Sequence, residues 1–216
     1  VVANAMKDDA ARASAEYLAQ FRTDIASLID PTLIEDCTRP KPREIPRDDR
    51  TRYFAFTDPA GGGQDEFTLA IGHLDRDTVI IDAVRGLHGS PANIAKEYAD
   101  FMKTYGIRNV TGDRYAGRWP RDQFLRHGIK YDVSDMDRSA LYIEMLAALN
   151  SGCIELPPDP KLSRQLQSLE RRTGRNGKDL IDHPPGGHDD LANAVAGLVA
   201  HIKTRTGGMR QIKMPI

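Results

Sequence analysis

Five apolar runs of strand length between Arg52 and Val133 restrict the fold more than any other feature of the sequence. Arg52–Thr57, Phe67–His73 and Thr78–Val84 come first, the last two joined by the tight turn LDRD. A parallel return needs a crossover of roughly a dozen residues. Both gaps here are shorter, so the three runs are expected to form an antiparallel meander. Ser90 and Pro91 then read as the N-cap and first residue of a helix that closes at Gly106. A fourth run, Asn109–Gly112, follows it. A short helix near Pro120–His127 leads to a fifth, Lys130–Val133. A helical crossover puts the fourth run beside the first and parallel to it. The expected fold class is α/β: a five-stranded mixed sheet in the order 3-2-1-4-5, flanked by helices. Further helices are expected over 138–150, 160–171 and 189–203, with a small hairpin turning at Asn176-Gly177.

Three regions are expected. Residues 8–30 carry Leu18, Phe21, Ile25, Leu28 and Ile29 at helical spacing, closed by Pro31. Residues 38–50, TRPKPREIPRDDR, read as a charged, proline-rich linker. The divisions are therefore an N-terminal helix and linker over 1–50, a compact domain over 51–203 and a basic tail over 204–216. The chain opens on Val1-Val2 without Met, so a piece of a longer polypeptide is expected. No apolar run is long enough for a membrane span and no signal peptide is visible. Cys37 and Cys153 fit no metal spacing and suggest a reducing compartment.

The net charge of -1 names no partner, but its distribution is uneven. Lys161 to Lys178 holds six basic residues against Glu170, and the last sixteen residues hold four basic residues and no acid. A locally basic face on a near-neutral protein suits a polyanion, although a solvated charged face has the same composition.

The acids are more telling. Asp58 ends the first run, beside the glycines of DPAGGG, and Asp113 ends the fourth. Both face the crevice where the strand order reverses, which is where ligands bind in such sheets. HPPGGHDDLANAVAGL brings Asp189 and Asp190 to the start of the last helix. Singly, each acid has a structural explanation as a turn opener or an N-cap. Together they suit hard divalent cations, Mg²⁺ or Mn²⁺, which take oxygen ligands. Two such ions can clamp both oxygens of a phosphodiester displacement.

FTDPAGGGQDEFTLAIG, VTGDRYAG and GGHDDLANAVAGL, in this order, resemble the C-terminal nuclease domain of tailed-phage terminase large subunits. AEYLAQFRTDIASLIDPTLIEDC resembles the segment that joins such nucleases to their motor ATPase. The resemblance implies an RNase H-like fold related to RuvC-like resolvases, with two metal ions per site. It implies an endonuclease that cuts concatemeric double-stranded viral DNA with low sequence specificity, in the host cytoplasm. It makes Asp58 the ligand bridging both ions and Asp113 the second ligand. One or both of Asp189 and Asp190 supply the third, with Asp190 favoured because Asp189 is better placed to cap the helix. Asp65 resembles an auxiliary acid of the family, and His188 could orient a ligand or phosphate. Asn193 stands where relatives often carry an acid, which leaves a fourth ligand open. Arg114, Arg118, Arg171, Arg172, Arg175 and Lys178 are candidate DNA-backbone contacts, with Lys178 also a candidate charge stabiliser in the site. Trp119 is expected in the core against Pro120. TGRNGKDL is no phosphate-binding loop, so the motor ATPase, the small terminase subunit and the portal are implied partners rather than parts of this chain.

Three other readings stay open. DPAGGG resembles the phosphate turn of sugar kinases and actin-like ATPases, although those proteins need a second, duplicated domain. A RuvC-like junction resolvase would share the site. A non-catalytic DNA- or portal-binding domain would keep the fold with idle acids.

Overall fold

The computed structural model describes residues 26–59, 66–113, 118–173 and 179–210. The elements are β1 (Ala26–Ser27), α1 (Pro31–Asp36), β2 (Tyr53–Asp58), β3 (Phe67–Asp75), β4 (Thr78–Leu87), α2 (Pro91–Thr104), β5 (Asn109–Gly112) and α3 (Trp119–Arg126). They continue with β6 (Lys130–Val133), α4 (Arg138–Asn150), β7 (Ile154–Glu155), α5 (Pro160–Ser168), β8 (Glu170–Thr173), β9 (Asp179–Asp182) and α6 (Asp190–Arg210).

The main sheet has the order β6-β5-β2-β3-β4-β7. β2, β3 and β4 form the expected meander, and β5 lies parallel to β2 with β6 parallel beyond it. This is the RNase H-like order expected from the sequence, extended by one strand. β7 pairs parallel with β4 through Val79↔Ile154 and Ile80↔Glu155. Two residues are too few to show an alternating pattern, which is why the sequence suggests five strands. β8 and β9 form the expected hairpin, and β1 adds to it as a separate three-stranded sheet.

Side chains of β2 alternate between two cores. Phe54 and Phe56 face α4, α5 and α6, whereas Ala55 faces α2 and α3. α6 is the most deeply embedded helix. Leu191, Ala192, Ala194, Val195, Ala196, Leu198 and Val199 are all buried. Its small residues let it lie close to the sheet. A Cβ at Gly197 would fall inside the Phe56 ring, so glycine there sets how near the start of α6 comes to the end of β2.

Two regions depart from expectation. Residues 26–27 are a strand, so the helix expected over 8–30 does not reach Ile29; its residues 8–25 lie outside the described residues. The proline-rich stretch 38–50 is fastened to the sheet rather than free. Arg39, 7% exposed, donates to the carbonyls of Ile81 (2.8 Å) and Pro42 (2.7 Å). Glu44 pairs with Arg85 through both oxygens at 2.8 Å, and the Ile45 amide bonds the Asp82 carbonyl at 2.9 Å. Charge and proline in the sequence conceal this because the bonds run from backbone and guanidinium groups instead of an apolar stripe. The tail expected from residue 204 begins as helix, since α6 continues to Arg210.

Substituting Gly197→Ala is expected to lower stability by about 1–3 kcal/mol, as overpacking does. In urea melts, adding Phe56→Leu should recover part of that loss. Equal losses with and without Phe56 would show that the ring does not set the spacing.

Candidate active site

The site starts where β2 and β5 end. Thr57 pairs with Gly112 across the parallel ladder, and the Asp113 amide donates to the Thr57 carbonyl at 3.4 Å. Asp58 and Asp113 therefore leave neighbouring strands side by side. The Tyr131 hydroxyl donates to the Asp113 carbonyl at 3.1 Å and fixes the exit of β5. Any side chain at Gly112 would collide with that tyrosine. On the other flank, the Thr57 hydroxyl donates to the Thr68 carbonyl at 2.6 Å and ties β2 to β3.

Asp58 is perturbed by this setting. Burial raises its pKa most, and the charges of Asp113 and Asp190 raise it further. A hydrogen bond from Asn193 and the charge of Arg138 act the other way, and the net effect pushes it up to about 6. Asn193 Nδ2 donates to Asp58 Oδ2 at 2.6 Å. Its own Oδ1 is buried without a hydrogen-bond partner among the described residues.

The α6 start supplies the third acid. The Asp190 carbonyl accepts from the Thr68 hydroxyl at 2.9 Å, and its Oδ2 accepts from the Glu66 amide at 3.4 Å. Asp189 does not cap this helix with its carboxylate, contrary to expectation. Gln165 Oε1, from α5, accepts from the amides of Leu191 (2.9 Å) and Ala192 (3.1 Å). Asp189 is instead 3% exposed, with Tyr142 donating to its Oδ2 at 2.7 Å and Arg138 to its Oδ1 at 3.5 Å. Adjacent in sequence, the two aspartates thus face different surroundings.

The other expected residues divide as follows. Asp65, Arg114, Arg175 and Lys178 lie outside the described residues, as does the Arg172 side chain. Arg118 and Arg171 are exposed. His188 is exposed, and it is His183 Nε2 that lies 3.9 Å from Asp189 Oδ1. Trp119 is 36% exposed and meets Phe67 edge-on, so it sits at the rim of the core rather than inside it. Arg138, Tyr142, Gln165 and Glu66 escaped sequence reasoning. Arg138 left one trace: a cation just after the N-cap Asp137 opposes the helix dipole.

All candidate donors are oxygens, and their mutual repulsion at Asp58 is what a hard cation would relieve. Among the described residues, no three His, Cys, Asp or Glu side chains yet converge as a ready-made metal group. The Asp58 carboxylate rests on Asn193 instead. Among the described residues no helix is long and apolar enough to cross a membrane.

No protein-family model and no curated protein matches the sequence. Solved structures do match. The large terminase nuclease domain of Thermus phage P74-26 superposes with TM-score 0.68 at 16% identity, over 82% of this chain and 96% of that one. The nuclease of thermophilic phage G20c, solved with bound magnesium, gives 0.66 at 18% identity over 81% and 96%. The chain shares the fold of phage large terminase nucleases. The bacteriophage HK97 large terminase matches with TM-score 0.64 at 12% identity over 92% of this chain, which spans 49% of that protein.

Asp58 yields a pH prediction. Its folded pKa, about 6, lies above the ordinary 3.8. The folded state then holds a proton that the unfolded state releases as pH rises from about 4 to about 6. The metal-free protein loses stability across that window and keeps the deficit above it. Asp58→Asn should remove the deficit and stabilise the metal-free protein at pH 7.5 by about 1–3 kcal/mol. Calorimetric melts showing equal pH dependence in both proteins would contradict this origin of the shift.

Proposed function

We propose that this chain is the nuclease part of a phage large terminase and hydrolyses phosphodiester bonds of double-stranded DNA with divalent cations. The supporting observation is the β2–β5 register, which sets Asp58 beside Asp113 while the charge of Asp190 reaches Asp58 from α6. The likeness in fold to nucleases that include a magnesium-bound example supports the same chemistry. Asp58, Asp113 and Asp190 would hold the cations, Mg²⁺ or Mn²⁺, two to a site. Such ions lower the pKa of a bound water for attack and neutralise the leaving 3′ oxygen.

The chain's own residues prepare this. Asn193 holds Asp58 by one oxygen, so that carboxylate keeps its orientation. Thr68 and the Glu66 amide hold Asp190 against the meander. Asp65 and His188 are auxiliary in this reading. Arg114, Arg118, Arg171, Arg172, Arg175 and Lys178 would neutralise the DNA backbone without reading bases, consistent with low sequence specificity. The remaining partners would be a motor ATPase in the same subunit, a small terminase subunit and a portal, in the host cytoplasm.

Supercoiled plasmid incubated with the protein and Mn²⁺ or Mg²⁺ should be nicked and linearised, and EDTA should stop the reaction. Asp58→Asn should reduce the rate at least about 10³-fold without unfolding the protein. Intact plasmid after prolonged incubation with excess folded protein and Mn²⁺ would defeat the reading for this chain.

A further inference from the structure

Resting on that nuclease reading, we propose that Arg138 is a phosphate-binding catalytic residue and that Asp189 is the buried residue that positions it, not a metal ligand. Arg138 is the first residue of α4, where the helix dipole disfavours a cation. Its guanidinium nevertheless turns inward to two acids. NH1 lies 3.5 Å from Asp189 Oδ1 and 3.6 Å from Asp182 Oδ1. Its side chain is 38% exposed, and its contacts with described residues use this one nitrogen. A guanidinium has further donors, suited to two phosphate oxygens.

Asp189 is built as a support. Both its oxygens are engaged, Oδ2 by Tyr142 and Oδ1 by Arg138. Burial raises the Tyr142 pKa well above its ordinary value, and the charge of Asp189 adds to this, so the hydroxyl remains a donor. A hard cation requires open carboxylate oxygens, and Asp190, one residue on, is less buried. Burial opposes the charge of Arg138, but Asp189, Tyr142, Asp58 and Asp182 outweigh it. The same positive charge is felt at Asp58.

The chemistry follows. A phosphodiester approaching Asp58 brings negative charge into a group of carboxylates. A guanidinium whose charge already acts on Asp58 offsets that charge, which grows as water bonds to phosphorus and the bond to the 3′ oxygen breaks. Arg138 neither gives nor takes a proton, since it is charged throughout.

The test uses the same chain with Arg138→Gln, Arg138→Lys, Asp189→Asn and the Asp189→Asn/Arg138→Gln double variant, each checked for an unchanged circular dichroism spectrum. Plasmid cleavage in Mn²⁺ should show kcat reduced about 10²–10³-fold in Arg138→Gln. Lys should restore only part, because it lacks the fork. The double variant should be no slower than Arg138→Gln, as expected when one residue acts through the other. Calorimetric Mn²⁺ titration should give Asp189→Asn the wild-type affinity within about threefold, whereas Asp190→Asn loses at least about tenfold. Binding of a short duplex in non-cleaving Ca²⁺ should show a salt dependence lower by about one unit in Arg138→Gln.

Loss of Mn²⁺ affinity in Asp189→Asn would make Asp189 a ligand and overturn its assignment. An unchanged salt slope with unchanged kcat would overturn that of Arg138. If the wild type cleaves nothing, the nuclease reading fails by that result alone; the Mn²⁺ and Ca²⁺-duplex measurements still decide between the two roles.

Discussion

Carboxylates on neighbouring parallel strands leave backbones about 4.8 Å apart, close enough for the charge of Asp113 to act on Asp58. Burial is the larger cause of the raised Asp58 pKa, and this charge adds to it. A fold does not gain stability from such an arrangement. It persists because the surrounding elements are fixed by other contacts: the β2–β3 ladder, the Tyr131 bond at the exit of β5, and the embedded α6. Strained polar groups held by an otherwise well-packed frame are the physical signature of a site rather than of a core.

The position of α6 decides whether that site is complete. Gly197 allows the helix to rest on Phe56, and Asn193, about one turn earlier, then reaches Asp58. α5 holds the end of the same helix. Gln165 satisfies two of its first amides, and Lys161 Nζ lies 2.5 Å from Glu66, whose amide bonds Asp190. α5 is anchored in turn at its own start, where the buried Asp159 caps it and accepts from Arg43 at 2.6 Å. The strap over residues 38–50 and the acid on α6 are therefore joined through one helix.

Much of this was readable in the sequence because it depends on periodicity and position. The meander and the crossover helices fixed strand order. Strand order fixed where Asp58 and Asp113 would emerge, with β5 and β6 found at their expected bounds. Composition makes the strap read as a linker, because its attachment uses Arg39 and Glu44, residues that composition assigns to solvent. β7 is invisible in the sequence because two residues carry no pattern. Arg138, Tyr142 and Gln165 lie on elements far from the acids in sequence. Only the folded geometry shows which of many arginines, tyrosines and glutamines is near them.

The pair Asp189-Asp190 marks that limit most clearly. Successive residues at a helix start diverge by about 100° around the axis, so identical side chains meet unlike surroundings. Helical spacing put both off the buried stripe and could not separate them. Tyr142 separates them in the folded chain: its hydroxyl, buried and held in its protonated form, takes one Asp189 oxygen and leaves the other for Arg138. Asp190 is less buried. Its carbonyl accepts from Thr68 and one carboxylate oxygen from the Glu66 amide, and its charge acts on Asp58. Two identical residues thus meet different partners, one a buried tyrosine and an arginine, the other the Glu66 amide at the start of β3.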